Sequence, residues 1–213
     1  MNYTETAGNG FFLSFEGADG SGKSTQTKLL AERLEKQGHD VVLTREPGGS
    51  PGAEEIRRLL VEGDPARWSP ETEILLFTAA RRDHLERTIL PGLKRGAIVI
   101  SDRFADSTRV YQGAARADLR QTVDHLHRLM IGYEPDLTLV FDLDAELGLK
   151  RGLARRSGED RFEELGAQFQ QKLRTGYRAL LDDFPDRCVA IDANGSINNV
   201  ADQVNRAVEG RWP

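Results

Sequence analysis

The sequence predicts an α/β domain in which a mostly parallel, five-stranded sheet carries helices on both faces. Short apolar runs alternate with helical patterns along the chain, which is typical of repeated strand-helix units. The apolar runs are nearly continuous rather than alternating, as expected for strands that are covered on both faces. At 213 residues, one such domain can bury roughly 70% of the surface of its unfolded chain.

Five segments have the length and apolar content of strands. They are Phe11 to Glu16, Asp40 to Thr44, Ala97 to Asp102, Leu137 to Asp142 and Cys188 to Asp192.

Helical patterns fill the intervals between the strands. A first helix is predicted from Gly22 to Gln37 and ends before Gly38, because glycine is favoured just beyond a helix C-terminus. A long helix is predicted from Ser69 towards Gly96, with Pro70 at its first position and a kink at Pro91. The chain contains no internal repeat, low-complexity tract or linker, so we expect a single domain over residues 1–213.

Composition excludes several classes of function. Thirty per cent of the residues are charged and no apolar run approaches the ~20 residues that span a bilayer, so no membrane association is expected. The first nine residues lack the features of a signal peptide, which favours a cytoplasmic location. Cys188 is the only cysteine, which excludes an intrachain disulfide and a cysteine-based zinc cluster. The net charge of −5 argues against general nucleic-acid binding.

A phosphate-binding loop is predicted at residues 17–24, GADGSGKS, directly after a strand and at the start of a helix. Its glycines allow successive backbone N–H groups to point at phosphate oxygens, and the helix N-terminus adds a favourable dipole. Lys23 is expected to reach the β- and γ-phosphates, and Ser24 to ligate Mg²⁺. The predicted ATP site comprises Gly17, Ala18, Asp19, Gly20, Ser21, Gly22, Lys23, Ser24 and Thr25.

Such a loop also occurs in GTPase switches and ATP-driven motors. A GTPase would carry a base-reading NKxD segment and a DxxG segment, and neither occurs in a suitable place. The chain is also short for a motor. These observations favour a phosphotransferase.

Two charged clusters follow predicted strands, TREPGG at residues 44–49 and SDRF at residues 101–104. Ligands of doubly wound sheets bind at these strand ends, and the planar fork of arginine suits a phosphate. Arg45 and Arg103 are therefore candidates for holding an acceptor phosphate, with a salt-bridged surface arginine as the alternative for each. Asp102 would either bind the magnesium shell through water or orient Arg103.

The long helix places Glu73, Phe77 and Arg81 on one face, because they are spaced at i, i+4. An aromatic ring with a forked donor at its edge would recognise a nucleobase by stacking and hydrogen bonding. Taken alone, an aromatic residue on an amphipathic helix is more often part of the core.

The chain resembles the bacterial thymidylate kinase family in six segments, which are, in order, FEGADGSGKST, TREPGGSPGAEEIR, LLFTAARRDH, VISDRFADSTRVYQG, PDLTLVFDLDAELGLKR and EDRFEE. The match runs from about residue 11 to 165, and REPGG together with DRFADSTRVYQG is its most specific part. The resemblance implies the three-layer P-loop kinase fold and phosphorylation of dTMP to dTDP in dTTP synthesis, with ATP, Mg²⁺ and a homodimer whose interface includes the Phe77 helix.

The same resemblance implies a thymine pocket. Phe77 would stack on the base, and Arg81 would form a hydrogen bond with its edge. Ser107 and Gln112 would complete the pocket.

Further positions are implied for the sugar and phosphate of dTMP. Tyr111 would close over the deoxyribose, and Asp19 would meet its 3′-hydroxyl. Arg45 and Arg103 would hold the phosphate, with Pro47 shaping the loop that carries Arg45.

The resemblance also implies a lid at residues 150–163 that supplies catalytic arginines. The variable positions of the phosphate loop contain no basic residue, whereas the lid region carries Arg151, Arg155, Arg156 and Arg161. Arg155 and Arg156 are expected to be catalytic together with Lys23 and Arg103, and the choice among the four lid arginines stays open.

No general base is required, because the second pKa of a phosphate monoester lies near 6 and the acceptor is largely dianionic at neutral pH. The four histidines have no triad or metal-site spacing and are expected to be structural or exposed. Three alternatives remain: a kinase for another nucleoside monophosphate, a deoxynucleoside kinase with Glu16 as base, and a non-catalytic nucleotide-binding module.

Overall fold

A parallel sheet of five strands forms the centre of the fold. The computed structural model describes residues 9–64, 67–116, 118–144, 147–148 and 166–212. Its strands are β1 (Phe11–Gly17), β2 (Val41–Arg45), β3 (Ile98–Asp102), β4 (Leu137–Asp142) and β5 (Cys188–Asp192). They lie in the order β2-β3-β1-β4-β5, with every neighbouring pair parallel. The five predicted strands are confirmed, each to within one residue at either end.

Helices connect the strands. Those of the described residues are α1 (Lys23–Lys36), α2 (Pro51–Val61), α3 (Pro70–His84), α4 (Leu90–Lys94), α5 (Ala105–Thr108), α6 (Arg120–Leu126), α7 (Gly166–Asp183) and α8 (Ile197–Glu209). Single π-helical segments follow α3, α5 and α6, at Leu85–Ile89, Arg109–Arg116 and His127–Ile131.

The two helices predicted in detail are confirmed. Helix α1 ends just before Gly38, whose φ of 91° lies in the left-handed region that favours glycine. Helix α3 is capped by Ser69, whose side chain accepts from the N–H of Thr72 at 3.2 Å. Where the sequence predicts a kink at Pro91, the structure has a π-helical segment, Leu85–Ile89, in the turn before the proline. Proline has no N–H and crowds the carbonyl one turn earlier, so a wider turn relieves the conflict.

Each face of the sheet is covered by a separate set of helices. One core joins alternate β1 residues to α1 and α8, and its central members are Phe11, Leu13, Phe15, Leu30, Leu34, Val200 and Val204. The opposite face packs against α4, α5, α7 and the π-helical segments, through residues that include Phe12, Ile89, Leu93, Phe104, Val140 and Leu173. The three layers of the predicted α/β fold are therefore present.

The sheet order brings the predicted site segments to one edge. Strand β1 lies between β3 and β4, so the loop after Gly17 begins beside the end of β3. Asp102, the last residue of β3, is in register with Phe15 on one side and Arg45 on the other. No helix in the described ranges combines the length and the apolar content that a bilayer crossing requires.

Candidate active site

The phosphate loop connects β1 to α1 and depends on glycine at two positions. Gly17 has a φ of 147°, and a Cβ there would lie 2.7 Å from the carbonyl oxygen of Phe141 on β4. Gly22 has a φ of 89° at the N-cap of α1. Since neither conformation suits an L side chain, the curled backbone follows directly from the glycines of the sequence.

Lys23 is buried inside this loop. Its Nζ donates to the carbonyl oxygens of Gly17 and Ala18, each at 2.8 Å, and to Oγ of Ser21 at 3.3 Å. Burial, followed by repulsion from Arg103, lowers the pKa of Lys23 to about 8. The loop is thus shaped around its own ammonium group, at the position where a phosphate chain would be bound.

Ser24 and Asp102 form a pair of oxygen ligands at the mouth of the loop. Ser24 Oγ donates to Asp102 Oδ2 at 2.5 Å. The sequence left two roles open for Asp102, and the described hydrogen bond of its carboxylate goes to Ser24 rather than to Arg103. A hydroxyl beside a carboxylate is a hard donor set that fits Mg²⁺, which uses few protein ligands and retains water and substrate phosphates.

Arg103 is the structural centre of the site. Its φ of 73° is unusual for a residue other than glycine. Two hydrogen bonds to the backbone of Arg103 hold this conformation. Its N–H donates to the carbonyl of Phe15 at 3.0 Å, and its carbonyl accepts from Ser101 Oγ at 2.7 Å. The side chain is thereby directed from the end of β3 across the phosphate loop.

The guanidinium of Arg103 connects the loop to the neighbouring cleft. Nη1 donates to the carbonyl of Gly17 at 3.0 Å and to Ser107 and Tyr177 at 2.9 Å each, while Nη2 donates to Asp19 at 2.5 Å. Burial would raise the pKa of Asp19, but attraction to Arg103 and then Lys23 outweighs it and the pKa is lowered. Asp19 therefore remains an anion between two cations.

Tyr111 and Ser107 complete the hydrogen bonds around this arginine. Tyr111 Oη donates to Asp19 at 3.0 Å, and Ser107 Oγ donates to Glu16 at 2.6 Å. The other oxygen of Glu16 accepts from the N–H of Phe104 at 2.7 Å. Burial, and then repulsion from a neighbouring carboxylate, raises the pKa of Glu16 to about 8. Both of its oxygens thus hold the turn that carries Arg103.

A cleft that is open to solvent lies beside Arg103. Helix α3 supplies one wall with Phe77 and Arg81, which share a face as predicted. Gln112 also lines the cleft and donates to Glu73 of the same helix at 3.1 Å. The full lining is Asp19, Glu46, Pro47, Arg57, Val61, Phe77, Arg81, Arg103, Phe104, Ser107, Thr108, Tyr111 and Gln112.

Of the eight predicted acceptor residues, Arg45 is the one that does not line this cleft. It lines a neighbouring depression together with Ser24 and Asp102. Its side chain is 56% exposed, and its Nη2 lies 3.2 Å from Glu54, which also accepts from the N–H of Gly49. In the structure Arg45 is therefore a salt-bridged surface arginine, the alternative given for it above. Its role in binding the acceptor phosphate stays a prediction.

Arg81, by contrast, is buried. Nε donates to Glu46 at 2.8 Å, and Nη2 donates to the carbonyl of Phe104 at 3.2 Å and to Thr108 at 3.0 Å. The predicted lid residues, Arg151, Arg155, Arg156 and Arg161, lie outside the described residues.

The histidines are structural or exposed, as expected. His39 and His125 are exposed, and His84 and His127 are buried away from the phosphate loop. His84 lies between two hydrogen-bond partners, Thr44 and Glu46.

Sequence reasoning missed three residues of the site, Tyr177, Thr108 and Glu46. Tyr177 lies in the apolar series of α7, where it reads as an ordinary core position. Thr108 and Glu46 are polar residues of the TREPGG and DRFADSTRVYQG segments, where each lies directly beside a predicted site residue, Ser107 or Arg45.

A family model, two curated relatives and one solved structure all indicate the same family. The model of the thymidylate kinase family matches residues 15–204. The chain is 68% identical to a thymidylate kinase of Dinoroseobacter shibae, covering 92% of this chain and 94% of the relative. It is 63% identical to that of Ruegeria pomeroyi, covering 95% and 96%. The crystal structure of thymidylate kinase from Ehrlichia chaffeensis superposes with a TM-score of 0.75 at 34% identity, covering 94% of this chain and 99% of that one.

Proposed function

This chain belongs to the thymidylate kinase family, and from that premise we infer that it is an enzyme that phosphorylates dTMP to dTDP in the synthesis of dTTP. The γ-phosphoryl group comes from ATP. One observation supports this inference above the others: a single guanidinium, that of Arg103, spans the phosphate loop and the acceptor cleft through Gly17, Asp19 and Ser107. Within the described residues, no helix or strand therefore lies between the donor and acceptor sites.

We propose that dTMP lies in the cleft with its phosphate towards Arg103 and its base against α3. Asp19 and Tyr111, already joined by a hydrogen bond, face the position of the sugar. Phe77 would contact the plane of the base, and Arg81 and Gln112 its edge. Arg45 would approach the phosphate from the neighbouring depression after releasing Glu54, and the lid arginines Arg155 and Arg156 would add charge around the transferring group.

Catalysis in this arrangement rests on alignment and charge. The acceptor phosphate is already an anion at neutral pH, so its oxygen attacks the γ-phosphorus without loss of a proton to the protein. The bond from the γ-phosphorus to the β,γ-bridging oxygen breaks, and ADP leaves. Lys23 neutralises charge on the donor phosphates, while Arg103 fixes the acceptor phosphate in line. The contacts of Glu16 disfavour the deoxynucleoside kinase alternative, because both carboxylate oxygens are engaged by Phe104 and Ser107.

Selectivity for thymine over cytosine tests whether the cleft binds the base of dTMP as proposed. Arg81 can only donate hydrogen bonds, so it suits the O4 acceptor of thymine and conflicts with the amino group of cytosine. We expect kcat/KM for dCMP to be lower than for dTMP by up to about 10⁴-fold, and thymidine not to be phosphorylated. Steady-state assays over dTMP, dCMP, dUMP, dGMP, AMP and thymidine measure this. Values for dCMP within tenfold of dTMP would refute the proposed pocket.

We propose that Mg²⁺ binds at Ser24 and near Asp102, where it would neutralise phosphate charge. Within the described residues no cluster of three acidic, histidine or cysteine side chains could hold a metal by itself, so phosphates and water would supply the other ligands. Ser24→Ala should therefore raise the free Mg²⁺ concentration needed for half-maximal rate by about tenfold or more. Rate measured against free Mg²⁺ at saturating ATP checks this, with Thr122→Ala, an exposed hydroxyl on α6, as the control. An unchanged Mg²⁺ requirement would remove Ser24 from the metal site.

We also propose that the protein forms a homodimer, that it is cytoplasmic and that it folds as one domain over residues 1–213. Exposed apolar side chains support the first: Leu75 on α3 is 58% exposed, and Leu129 and Met130 on the adjacent π-helical segment are 66% and 48% exposed. Sedimentation equilibrium should give twice the 23.7 kDa mass of the chain, and Leu75→Glu should shift the equilibrium towards monomer. A monomer at micromolar concentration would contradict the proposal.

A further inference from the structure

A buried chain of hydrogen bonds leads from β2 to the guanidinium of Arg81. Thr44 Oγ1 lies 2.7 Å from His84 Nε2, and His84 Nδ1 lies 3.0 Å from Glu46 Oε1. The second oxygen of Glu46 accepts from Arg81 Nε at 2.8 Å. We propose that Thr44, His84 and Glu46 form a positioning relay that sets selectivity for thymine by fixing Arg81. This proposal rests on the base-reading role given to Arg81 above.

The donors of Arg81 explain why its orientation matters. Nε donates to Glu46, and both donors of Nη2 have partners, the carbonyl of Phe104 and Thr108. In the described part of the chain, Nη1 is left without a protein acceptor, and Arg81 lines the cleft. Because the guanidinium is rigid and planar, fixing Nε and Nη2 also fixes the direction of Nη1. Nη1 is therefore the group presented to a base.

Glu46 needs its own support to act in this way. The side chains of Arg81 and Glu46 are each 4% exposed, so the pair is removed from solvent and its geometry decides whether it is favourable. His84 is fully buried and provides the second hydrogen bond of the carboxylate. A carboxylate can only accept, so Nδ1 carries the proton and Nε2 is directed at the hydroxyl of Thr44.

The loop after β2 lies directly on this relay. A Cβ at Gly49 would overlap both the hydroxyl of Thr44 and the ring of His84, so the backbone can approach only as glycine. Thr88 Oγ1 donates to the carbonyl of Gly49 at 2.6 Å and holds the loop there. The relay is thus enclosed on the side away from Arg81, with no space for His84 to turn out.

Two substitutions at His84 can each keep one of its two hydrogen bonds and remove the other. The amide nitrogen of asparagine falls near the position of His Nδ1, and that of glutamine near Nε2. His84→Asn can therefore keep the bond to Glu46, whereas His84→Gln keeps the bond to Thr44 and loses Glu46. Both remove the aromatic ring, and asparagine is shorter by one methylene, so loss of packing alone would make His84→Asn the more damaging of the two.

We expect His84→Gln to raise KM for dTMP about tenfold and to lower the ratio of kcat/KM for dTMP over dCMP by about tenfold, with kcat within threefold of wild type. His84→Asn should lie clearly closer to wild type in both quantities. His125→Asn, an exposed histidine remote from the cleft, should change neither. Equal dTMP/dCMP ratios for the Asn and Gln variants would overturn the relay.

Two more variants complete the test. Should the His84 variants unfold, Glu46→Gln keeps the shape of the side chain but weakens its bond to Arg81, and an unchanged dTMP/dCMP ratio would overturn the relay. Arg81→Lys tests the function on which the relay depends. If Arg81→Lys leaves the ratio unchanged, Arg81 does not read the base. If it abolishes selectivity while Glu46→Gln does not, only the relay fails.

Discussion

Replacement of Lys23 by alanine is expected to lower kcat by at least about 10³-fold while the protein remains folded. In the proposed mechanism Lys23 places a positive charge at the transferring phosphoryl group, and charge placed at a developing transition state contributes the most to such reactions. Its Nζ is held by Gly17, Ala18 and Ser21 and is therefore already positioned. Single-turnover and steady-state assays with ATP, Mg²⁺ and dTMP measure the loss.

The fold should tolerate this change. Burial lowers the pKa of Lys23 to about 8, so the folded state binds its proton more weakly than the unfolded chain does. At neutral pH the buried, charged Lys23 therefore lowers the free energy of unfolding, and this destabilisation decreases as the pH rises above about 8. Thermal unfolding should show little loss for Lys23→Ala, with exposed Lys36→Ala as the matched control. Activity within tenfold of wild type would contradict the assignment of the phosphate loop.

Replacement of Arg103 by lysine should lower kcat/KM for dTMP by about 10²- to 10³-fold, although the charge is kept. A lysine has one donor group on a flexible stem and cannot reach Gly17, Asp19 and Ser107 together. The loop and the cleft would then lose their shared support. Initial-rate measurements with varied dTMP at saturating ATP give the value.

The control for this second variant is Arg95→Lys. Arg95 is half exposed and pairs with Asp40 at the opposite end of β2 from the site, so its replacement should leave activity unchanged. If Arg103→Lys retains kcat/KM within threefold of wild type, charge alone is sufficient and the bridging role is wrong.

Local sequence signals were sufficient for the sheet and for the phosphate loop. Strands such as Leu137–Asp142 are continuous apolar runs, and the helix start at Ser69 combines a cap with proline, so both are encoded by adjacent residues. The same is true of the loop, where the glycines dictate the path of the backbone. In each case the physical cause lies within a few residues of the structure that it produces.

Contacts between residues that are far apart in the sequence cannot be predicted from such local patterns. Arg45 and Arg103 both follow predicted strands, and the sequence predicts the same role for both, yet Arg103 contacts Tyr177 from α7 whereas Arg45 pairs with Glu54. Nothing in the local pattern distinguishes them, because the difference depends on which helix packs over each strand end. Likewise, His84 was assigned no function from spacing, since its partners lie on β2 and in the loop after it.

Because β1 lies at the centre of the sheet, between two strands that come later in the chain, it stays unpaired during much of protein synthesis. β1 is the first strand to leave the ribosome, but its partners begin at Ile98 and Leu137. At roughly 5 to 20 residues per second, more than 100 residues must be added, taking several seconds or longer, before both of its edges can be paired. During that interval the nascent chain carries the apolar segment FFLSF with open strand edges, which is the kind of segment that chaperones bind. The strand that supports the phosphate loop is thus completed only after translation has passed Asp142, the end of β4.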